Sequence, residues 1–336
     1  MQLTTEQLRS ITNGILEIQE VKGGVCFHRI PRRLRSFYQK TEKFRIRMQC
    51  PSGVRLRFFS NTCSIHLGQR YGERAREIFH GSLFVDHKIF AVFGPQTWQE
   101  EWHGEIFHQE RAEKHMFEIW LQHTCAISSF CLEVDDDSTV APALQQKLRW
   151  LIYGDSITQG MTASLPHTTQ IALCASALDA DILNLSIGGA VLSSELADVL
   201  PEYPWDIATI AYGANDFIDN NPPEILEENA CKLISALSQQ RAGNPIIVQT
   251  PILFLKNISE RTETGIYIND YREALARAAK NFSIARLIEG PELLAADPKY
   301  FDDSWHPNDK GMAVYAKYLL KEMKEILKYD EASNYE

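Results

Sequence analysis

The strongest fold signal in the chain is Trp150-Leu-Ile-Tyr-Gly-Asp-Ser-Ile-Thr-Gln-Gly160, an apolar run that passes at once into a glycine-flanked polar turn. The apolar part does not alternate with polar residues, which is typical of a strand covered on both faces in a parallel sheet. A serine directly after such a strand stands where a helix begins, and helix starts carry partial positive charge. The segment therefore predicts an α/β sheet with a polar site at the carboxyl end of one strand.

Three further apolar runs follow, with helical patterns between or after them. They are Ile182-Leu-Asn-Leu185, Ile207-Ala-Thr-Ile-Ala-Tyr212 and Pro245-Ile-Ile-Val248. Apolar residues recur at helical spacing within residues 225–237 and 271–278. This alternation of strands and helices indicates an open α/β sheet, whose ligands bind beyond the carboxyl ends of its strands.

The residues before this region have a different period. Apolar and polar side chains alternate in Phe44-Arg-Ile-Arg-Met48, Val54-Arg-Leu-Arg-Phe58, Phe117-Glu-Ile119 and Phe130-Cys-Leu-Glu-Val134, and Pro51-Ser-Gly53 is a turn signal. A period of two predicts half-buried strands. Several such strands separated by glycine and proline turns predict an antiparallel β-sandwich of the jelly-roll type.

The change of period divides the chain into two predicted domains. A length of 336 residues exceeds what one hydrophobic core usually supports. The polar segment Asp135-Asp-Asp-Ser138 marks the change. We expect a β-sandwich domain over residues 1–140, with a short helix between Thr5 and Ile15, and an α/β domain over residues 148–330.

The composition indicates which binding partners and which cellular compartment to expect. A formal net charge of −10 argues against nucleic acid as the main partner, because phosphate binding requires a basic surface. The first twenty residues do not resemble a secretory signal, and no apolar stretch is long enough to span a membrane. Seven cysteines without a C-x-x-C pair favour a reducing compartment, so we expect a cytoplasmic protein. The sequence indicates no oligomeric state and no metal-ligand spacing.

Four sequence blocks lie at the ends of these predicted elements. They are Gly154-Asp-Ser-Ile-Thr-Gln-Gly160, Asn184-Leu-Ser-Ile-Gly-Gly189, Gly213-Ala-Asn-Asp216 and Asp303-Ser-Trp-His-Pro307. In content and order they resemble the blocks of the SGNH, or GDSL-type, serine hydrolases. The resemblance extends over residues 148–328, and it implies a flavodoxin-like three-layer α/β/α domain.

The resemblance also implies a catalytic triad. Ser156 would be the nucleophile, and His306 would be the general base that takes its proton. Asp303 would hold the imidazole in the required tautomer and stabilise its protonated form. Asp302 is an adjacent alternative for this orienting role, but the family pattern selects Asp303.

The same resemblance implies an oxyanion hole. Its donors would be the backbone N–H of Ser156, the backbone N–H of Gly189 and the side-chain amide of Asn215. Gly188 is the alternate for the second donor. The sequence departs from the usual family pattern at Ser186, where many members have glycine, and at Ile157, where leucine is usual. These departures concern the local turns rather than the chemistry.

A β-sandwich followed by an SGNH domain resembles the two-domain carbohydrate acetyl esterases. That likeness implies a serine esterase that removes short acyl groups from sugars, with no metal or organic cofactor. Three alternatives remain. The first is a lipid-directed esterase, lysophospholipase or thioesterase. The second is an acyltransferase that uses the same triad, and the third is a catalytically silent sugar-binding protein. The sequence contains no long lid or apolar entry helix, which favours small soluble esters over lipids.

Overall fold

The structure is a computed structural model that describes residues 1–256, 262 and 264–328. The chain folds into two compact units. The first comprises Met1–Lys147 with the short segments Ser164–His167 and Asp181–Asn184, and the second comprises Leu148–Ala163, Thr168–Ala180 and Leu185–Glu336. Compactness does not show that either unit folds alone, so the domain limits 1–140 and 148–330 stay predictions.

The first unit is rich in strands. In chain order its elements are α1 (Thr5–Ile11), β1 (Thr12–Asn13), β2 (Glu17–Val21), β3 (Gly24–His28), α2 (Arg32–Tyr38), α3 (Glu42–Gln49), β4 (Arg55–Ser60), β5 (Ser64–Arg74), β6 (Gly81–Val85), β7 (Lys88–Phe93), β8 (Glu101–His108), β9 (His115–Trp120), β10 (Cys125–Val134) and β11 (Val140–Pro142).

These strands form two antiparallel sheets that enclose one apolar core. One sheet has the order β1-β4-β9-β6-β7, with β11 beside β4, and the other has the order β2-β3-β10-β5-β8. The rings of Phe107 and Phe117, one from each sheet, lie 4.8 Å apart. The predicted antiparallel sandwich is confirmed, because the inward side chains of both sheets bury one another.

One predicted strand is wrong. Phe44-Arg-Ile-Arg-Met48 lies within the helix α3. The alternating pattern also places Phe44 and Met48 four residues apart, which is the spacing of one helix face. In the structure Met48 is buried and the ring of Phe44 packs 5.8 Å from that of Tyr38. Five residues are too few to separate the two periods.

The elements from residue 148 onward alternate between strand and helix. They are β12 (Leu148–Gly154), α4 (Ser156–Gln159), a 3₁₀ turn (Pro166–Thr168), α5 (Gln170–Ala177), β13 (Ala180–Asn184), α6 (Glu195–Asp198), β14 (Ile207–Ala211), α7 (Ala214–Ile218), α8 (Pro223–Gln240), β15 (Ile246–Gln249), α9 (Ile268–Lys280), β16 (Ala285–Ile288), α10 (Gly290–Leu293), a second 3₁₀ turn (Pro298–Tyr300) and α11 (Asp309–Leu327).

The five strands form a sheet of order β13-β12-β14-β15-β16, in which β12, β14, β15 and β16 pair in parallel. This is the flavodoxin-like order, in which the first strand of the domain lies second in the sheet. The predicted α/β/α fold is therefore confirmed, and the four apolar runs are its strands β12 to β15. Within the described residues, no helix combines the length and apolar character needed to cross a membrane.

Two details of this half differ from the sequence pattern. Ile225 was expected on the apolar face of α8, but it is 47% exposed, whereas Leu226 and Leu233 are buried. The edge strand β16 was not predicted, because Ala285-Arg-Leu-Ile288 is short and two of its four residues are exposed.

Candidate active site

Ser156 lies at the point where β12 turns into α4. The side chain of Asp155 caps this helix by accepting the backbone N–H of Ile157 at 3.0 Å. The helix ends after one turn at Gly160, whose φ of 80° is left-handed and suits glycine. Ser156 is the first residue of the helix, so its own backbone N–H is one of the donors that a helix cannot satisfy internally. Ser156 thus provides both a hydroxyl group and a backbone N–H donor at the start of the helix.

The structure brings Ser156, His306 and Asp303 into one chain of hydrogen bonds. Oγ of Ser156 lies 2.8 Å from Nε2 of His306. Nδ1 of the same imidazole lies 2.8 Å from Oδ2 and 3.1 Å from Oδ1 of Asp303. A hydroxyl, an imidazole and a carboxylate in this order can pass a proton from the serine to the histidine while the acid holds the ring.

Asp303, rather than its neighbour, meets the imidazole. Its Oδ1 also accepts the backbone N–H groups of Trp305 and His306, at 2.7 and 2.8 Å. Burial raises the pKa of Asp303, but these hydrogen bonds and the one with the His306 side chain outweigh that effect and hold the pKa below its usual range. The side chain of Asp302 is exposed, and its backbone N–H donates to the carbonyl of His306 at 2.8 Å.

The two glycines of the second block have different hydrogen bonds. The backbone N–H of Gly188 donates to Oε1 of Gln159 at 2.7 Å. Gly189 has a φ of 74° in a turn closed by the hydrogen bond from Ala190 N–H to the Ile187 carbonyl at 3.0 Å. Within the described part of the chain, the N–H of Gly189 has no hydrogen-bond partner. Of the two glycines, Gly188 is thus the one whose N–H is occupied by a side chain.

Asn215 lies in the first turn of α7, directly after β14. Gly213 precedes this helix with a φ of 109°, a conformation that residues with a side chain rarely adopt. Nδ2 of Asn215 donates one hydrogen bond, of 3.2 Å, to the carbonyl of Ala190. An amide has two N–H groups, so the second can serve a ligand. The bond also ties Asn215 to the residue that follows Gly189.

The C-terminal half of the chain is similar to proteins of a known family. Residues 152–314 match the sequence profile of the GDSL-like Lipase/Acylhydrolase family, and this range contains all five residues of the site. The match lies in the C-terminal half of the chain. An arylesterase from Vibrio mimicus is 26% identical over 195 residues, which are 55% of this chain and 92% of that protein. The chain is accordingly a carboxylic ester hydrolase.

Solved structures of similar fold cover both halves of this GDSL-like hydrolase. Salicylyl-Acyltransferase SsfX3 from a tetracycline biosynthetic pathway has a TM-score of 0.78 at 20% identity and covers 94% of each chain. A family two carbohydrate esterase from Clostridium thermocellum, solved with cellohexaose, has a TM-score of 0.67 at 15% identity and covers 83% of this chain and 94% of that one. At these identities the likeness concerns the fold.

Two buried carboxyl groups of the hydrolase lie close to the triad and the third block. Burial raises the pKa of Asp155 to about 6, although the N–H of Ile157 and the nearby His306 lower it. Burial also raises the pKa of Asp216 to about 7; the N–H of Leu192 opposes this rise and the charge of Asp155 adds to it. The interior therefore disfavours the charged form of both acids, compared with an aspartate in water.

Aromatic side chains surround Trp305, which lies between Asp303 and His306 in sequence. Its ring centroid is 4.9 Å from that of Phe254 and 6.3 Å from that of Phe217. The Lys256 ammonium lies 5.6 Å from the Trp305 ring centroid. Trp305 therefore packs against two other aromatic rings, and it directly precedes the triad histidine in the sequence.

Sequence reasoning missed two polar residues that organise the site. Gln159 contacts the glycine turn, and the Thr162 hydroxyl donates to the carbonyl of Pro307 at 2.8 Å, next to His306. Both belong to the segment that follows Ser156. The sequence shows only that both residues are polar, and their burial and their partners appear only in the structure. No group of three or more potential metal-ligating side chains occurs among residues 1–256, 262 and 264–328.

Proposed function

We propose that this hydrolase cleaves short-chain acyl esters through an acyl-enzyme on Ser156, and that its substrates are acetylated carbohydrates. The observation that carries the first part is the continuous hydrogen-bonded path from Ser156 Oγ through His306 to Asp303. Serine is a weak nucleophile until a base accepts its proton, and this path supplies the base.

In the acylation step, Ser156 Oγ attacks the ester carbonyl carbon while its proton passes to Nε2 of His306. The carbonyl oxygen becomes an oxyanion. It accepts hydrogen bonds from the backbone N–H groups of Ser156 and Gly189 and from the side-chain amide of Asn215. The intermediate then collapses, the C–O bond to the alcohol breaks, and imidazolium donates its proton to the leaving oxygen. Asp303 stabilises the transient positive charge of the imidazolium.

In the deacylation step, water replaces the alcohol. His306 takes one proton from the water as the water oxygen attacks the acyl carbon, and the same donors hold the second oxyanion. Collapse breaks the bond to Ser156 Oγ, which recovers its proton from His306. The products are the free acid and an unchanged enzyme.

The carbohydrate part of the proposal has two supports. A β-sandwich followed by a GDSL-type domain is the fold shared with the family two carbohydrate esterase. In addition, Trp305 directly precedes His306, the residue that would protonate the leaving alcohol, and its ring belongs to a cluster with Phe217 and Phe254. Aromatic rings offer an apolar face against which the C–H face of a sugar can pack.

Acyl transfer is the second candidate, because the salicylyl-acyltransferase has the same fold over nearly the whole chain. The triad chemistry is identical up to the acyl-enzyme. A bound alcohol then attacks in place of water, and the acyl group is conserved in a new ester.

The test is a substrate screen with the full-length protein. Acetylated sugars and p-nitrophenyl esters from acetate to decanoate are supplied to the wild type, to Ser156→Ala and to Ser238→Ala. Ser238 is a control on α8, whose hydroxyl donates to the Ser235 carbonyl. Product masses are recorded with and without added alcohol acceptors.

We expect hydrolysis of acetyl esters with a kcat/KM that falls as the acyl chain lengthens. Ser156→Ala should be inactive and Ser238→Ala unchanged. Equal turnover by Ser156→Ala would refute the nucleophile. A preference for decanoate would favour a lipid-directed esterase, and new esters formed in preference to acid would favour acyl transfer. Binding of sugars without turnover would indicate a silent sugar-binding protein.

A further inference from the structure

The turn that presents Gly189 is held by contacts on both sides. Before the turn, the N–H of Ile187 donates to the carbonyl of Gly154 at 3.0 Å, which joins the turn to the end of β12. After it, the carbonyl of Ala190 accepts the Asn215 amide. The hydrogen bond from Ala190 N–H to the Ile187 carbonyl and the positive φ of Gly189 match a type II turn, with Gly188 and Gly189 as its central residues.

Gln159 supplies the contact at the centre of this turn. It is the last residue of α4, three positions after Ser156, and its side chain is completely buried. Its Oε1 accepts the N–H of Gly188 at 2.7 Å. Without an acceptor, this buried N–H would lose hydrogen bonding to water and gain nothing in return, so the turn would shift to satisfy it.

The bond also separates the roles of two adjacent N–H groups. Gly188 N–H is occupied by Gln159, and Gly189 N–H remains without a partner among the described residues. Because Gln159 and Ser156 belong to the same short helix, the bond fixes the turn relative to the nucleophile.

We infer that Gln159 is a positioning residue that holds the Gly188–Gly189 turn so that the Gly189 N–H is aimed at the oxyanion. The inference rests on the proposed acyl-enzyme chemistry and adds a residue to it. Gln159 acts through the backbone of Gly188 and does not touch the substrate. Its loss should weaken stabilisation of the transition state while leaving substrate binding nearly intact.

The experiment compares Gln159→Met with Gln170→Met. Gln170 is similarly buried, and its Nε2 donates at 2.7 Å to the carbonyl of Ile157, away from the glycine turn. Each variant loses one buried amide, so their thermal midpoints should fall by similar amounts. Steady-state kinetics on p-nitrophenyl acetate and inhibition by phenylboronic acid are measured for both. The boronic acid forms a tetrahedral adduct with an active serine and so reports on the oxyanion hole.

For Gln159→Met we expect kcat to fall about 10- to 100-fold, with KM within about 3-fold of the wild type, because one oxyanion donor is typically responsible for ~10²–10³ in rate. Phenylboronic acid should bind more weakly by a similar factor. Gln170→Met should keep kcat within about 3-fold. Gln159→Glu should recover most of the rate, since a glutamic acid side chain keeps an acceptor oxygen in either protonation state.

Equal kcat in Gln159→Met and Gln170→Met would overturn the inference, as would a change confined to KM or a failure of Gln159→Glu to recover activity. If Gln159→Met does not fold, Gln159→Asn takes its place, because it keeps an amide but withdraws the oxygen from Gly188. An inactive wild type or an active Ser156→Ala would instead refute the proposed function, and the role of Gln159 with it.

Discussion

Oγ of Ser156 lies 2.8 Å from Nε2 of His306, although 150 positions separate the two residues in the chain. Ser156 is fixed by the end of β12, and His306 by a loop that closes ahead of α11. In that loop the N–H of Asp302 donates to the carbonyl of His306 at 2.8 Å. The reacting groups thus come from two separate segments, and catalysis depends on how those segments are held together.

The first prediction distinguishes the two adjacent aspartates. Asp303→Asn should lower kcat by on the order of 10²–10⁴, because an asparagine can still accept the Trp305 and His306 backbone N–H groups but favours the wrong imidazole tautomer. Asp302→Asn is the matched control and should stay near the wild type, since its side chain is exposed. Initial rates on p-nitrophenyl acetate measure both. Similar losses in the two variants would remove Asp303 from the triad.

The second prediction concerns Asn215. Replacement by aspartate keeps the shape of the side chain but removes the amide donor, so kcat should fall by about 10²–10³ with a much smaller change in KM. Asn269→Asp, on the exposed surface of α9, is the control. If Asn215→Asp raised KM alone, Asn215 would bind the ground state of the substrate and would not serve the oxyanion.

The third prediction uses the buried carboxyl group of Asp216. Its pKa is raised to about 7 in the folded protein, so the folded state holds the proton more tightly than the unfolded state. Between the ordinary carboxyl pKa and about 7, stability must therefore fall as the pH rises. Asparagine does not ionise, so Asp216→Asn removes this loss of stability at high pH. The variant should therefore have a higher thermal midpoint than the wild type at pH 8.

At pH 5 the difference between Asp216→Asn and the wild type should be much smaller, because the wild-type carboxyl group is already protonated in the folded state. Calorimetry or thermal denaturation at both pH values gives the comparison. A difference in midpoint that is the same at pH 5 and pH 8 would mean that Asp216 does not titrate in this range. Asp219→Asn, an exposed acid just after α7, is the control.

Much of the fold follows from local pattern. The apolar runs that become β12 to β15 are long enough to require burial on both faces, and each of the first three ends at a chemical motif. The error at α3 arose because Phe44 and Met48 fit both a strand period and a helix face. The strand β16 was missed because, as an edge strand, it buries little and so leaves no apolar run.

The site was predictable to the extent that its residues lie within recognisable motifs. Ser156, His306 and Asp303 were assigned from the sequence, and the structure places them within hydrogen-bonding distance of one another. The sequence favoured Gly189 and kept Gly188 as the alternate, and only tertiary contacts show that the N–H of Gly188 is occupied by Gln159. Sequence reveals that a buried residue is polar, but not which distant backbone group it satisfies.

The fourth prediction tests what holds the serine and histidine segments together. Thr162 Oγ1 donates to the carbonyl of Pro307 at 2.8 Å, and this bond links the segment after Ser156 to the residue after His306. Thr162→Val keeps the shape but loses the hydroxyl, and should cost about 0.5–1.5 kcal/mol of unfolding free energy. Because misplacing a catalytic group reduces the rate steeply, kcat should also fall several-fold. Thr162→Ser keeps the hydroxyl donor and should restore both the free energy of unfolding and kcat. If it restores stability without restoring kcat, the methyl group of Thr162, and not its hydroxyl, positions His306.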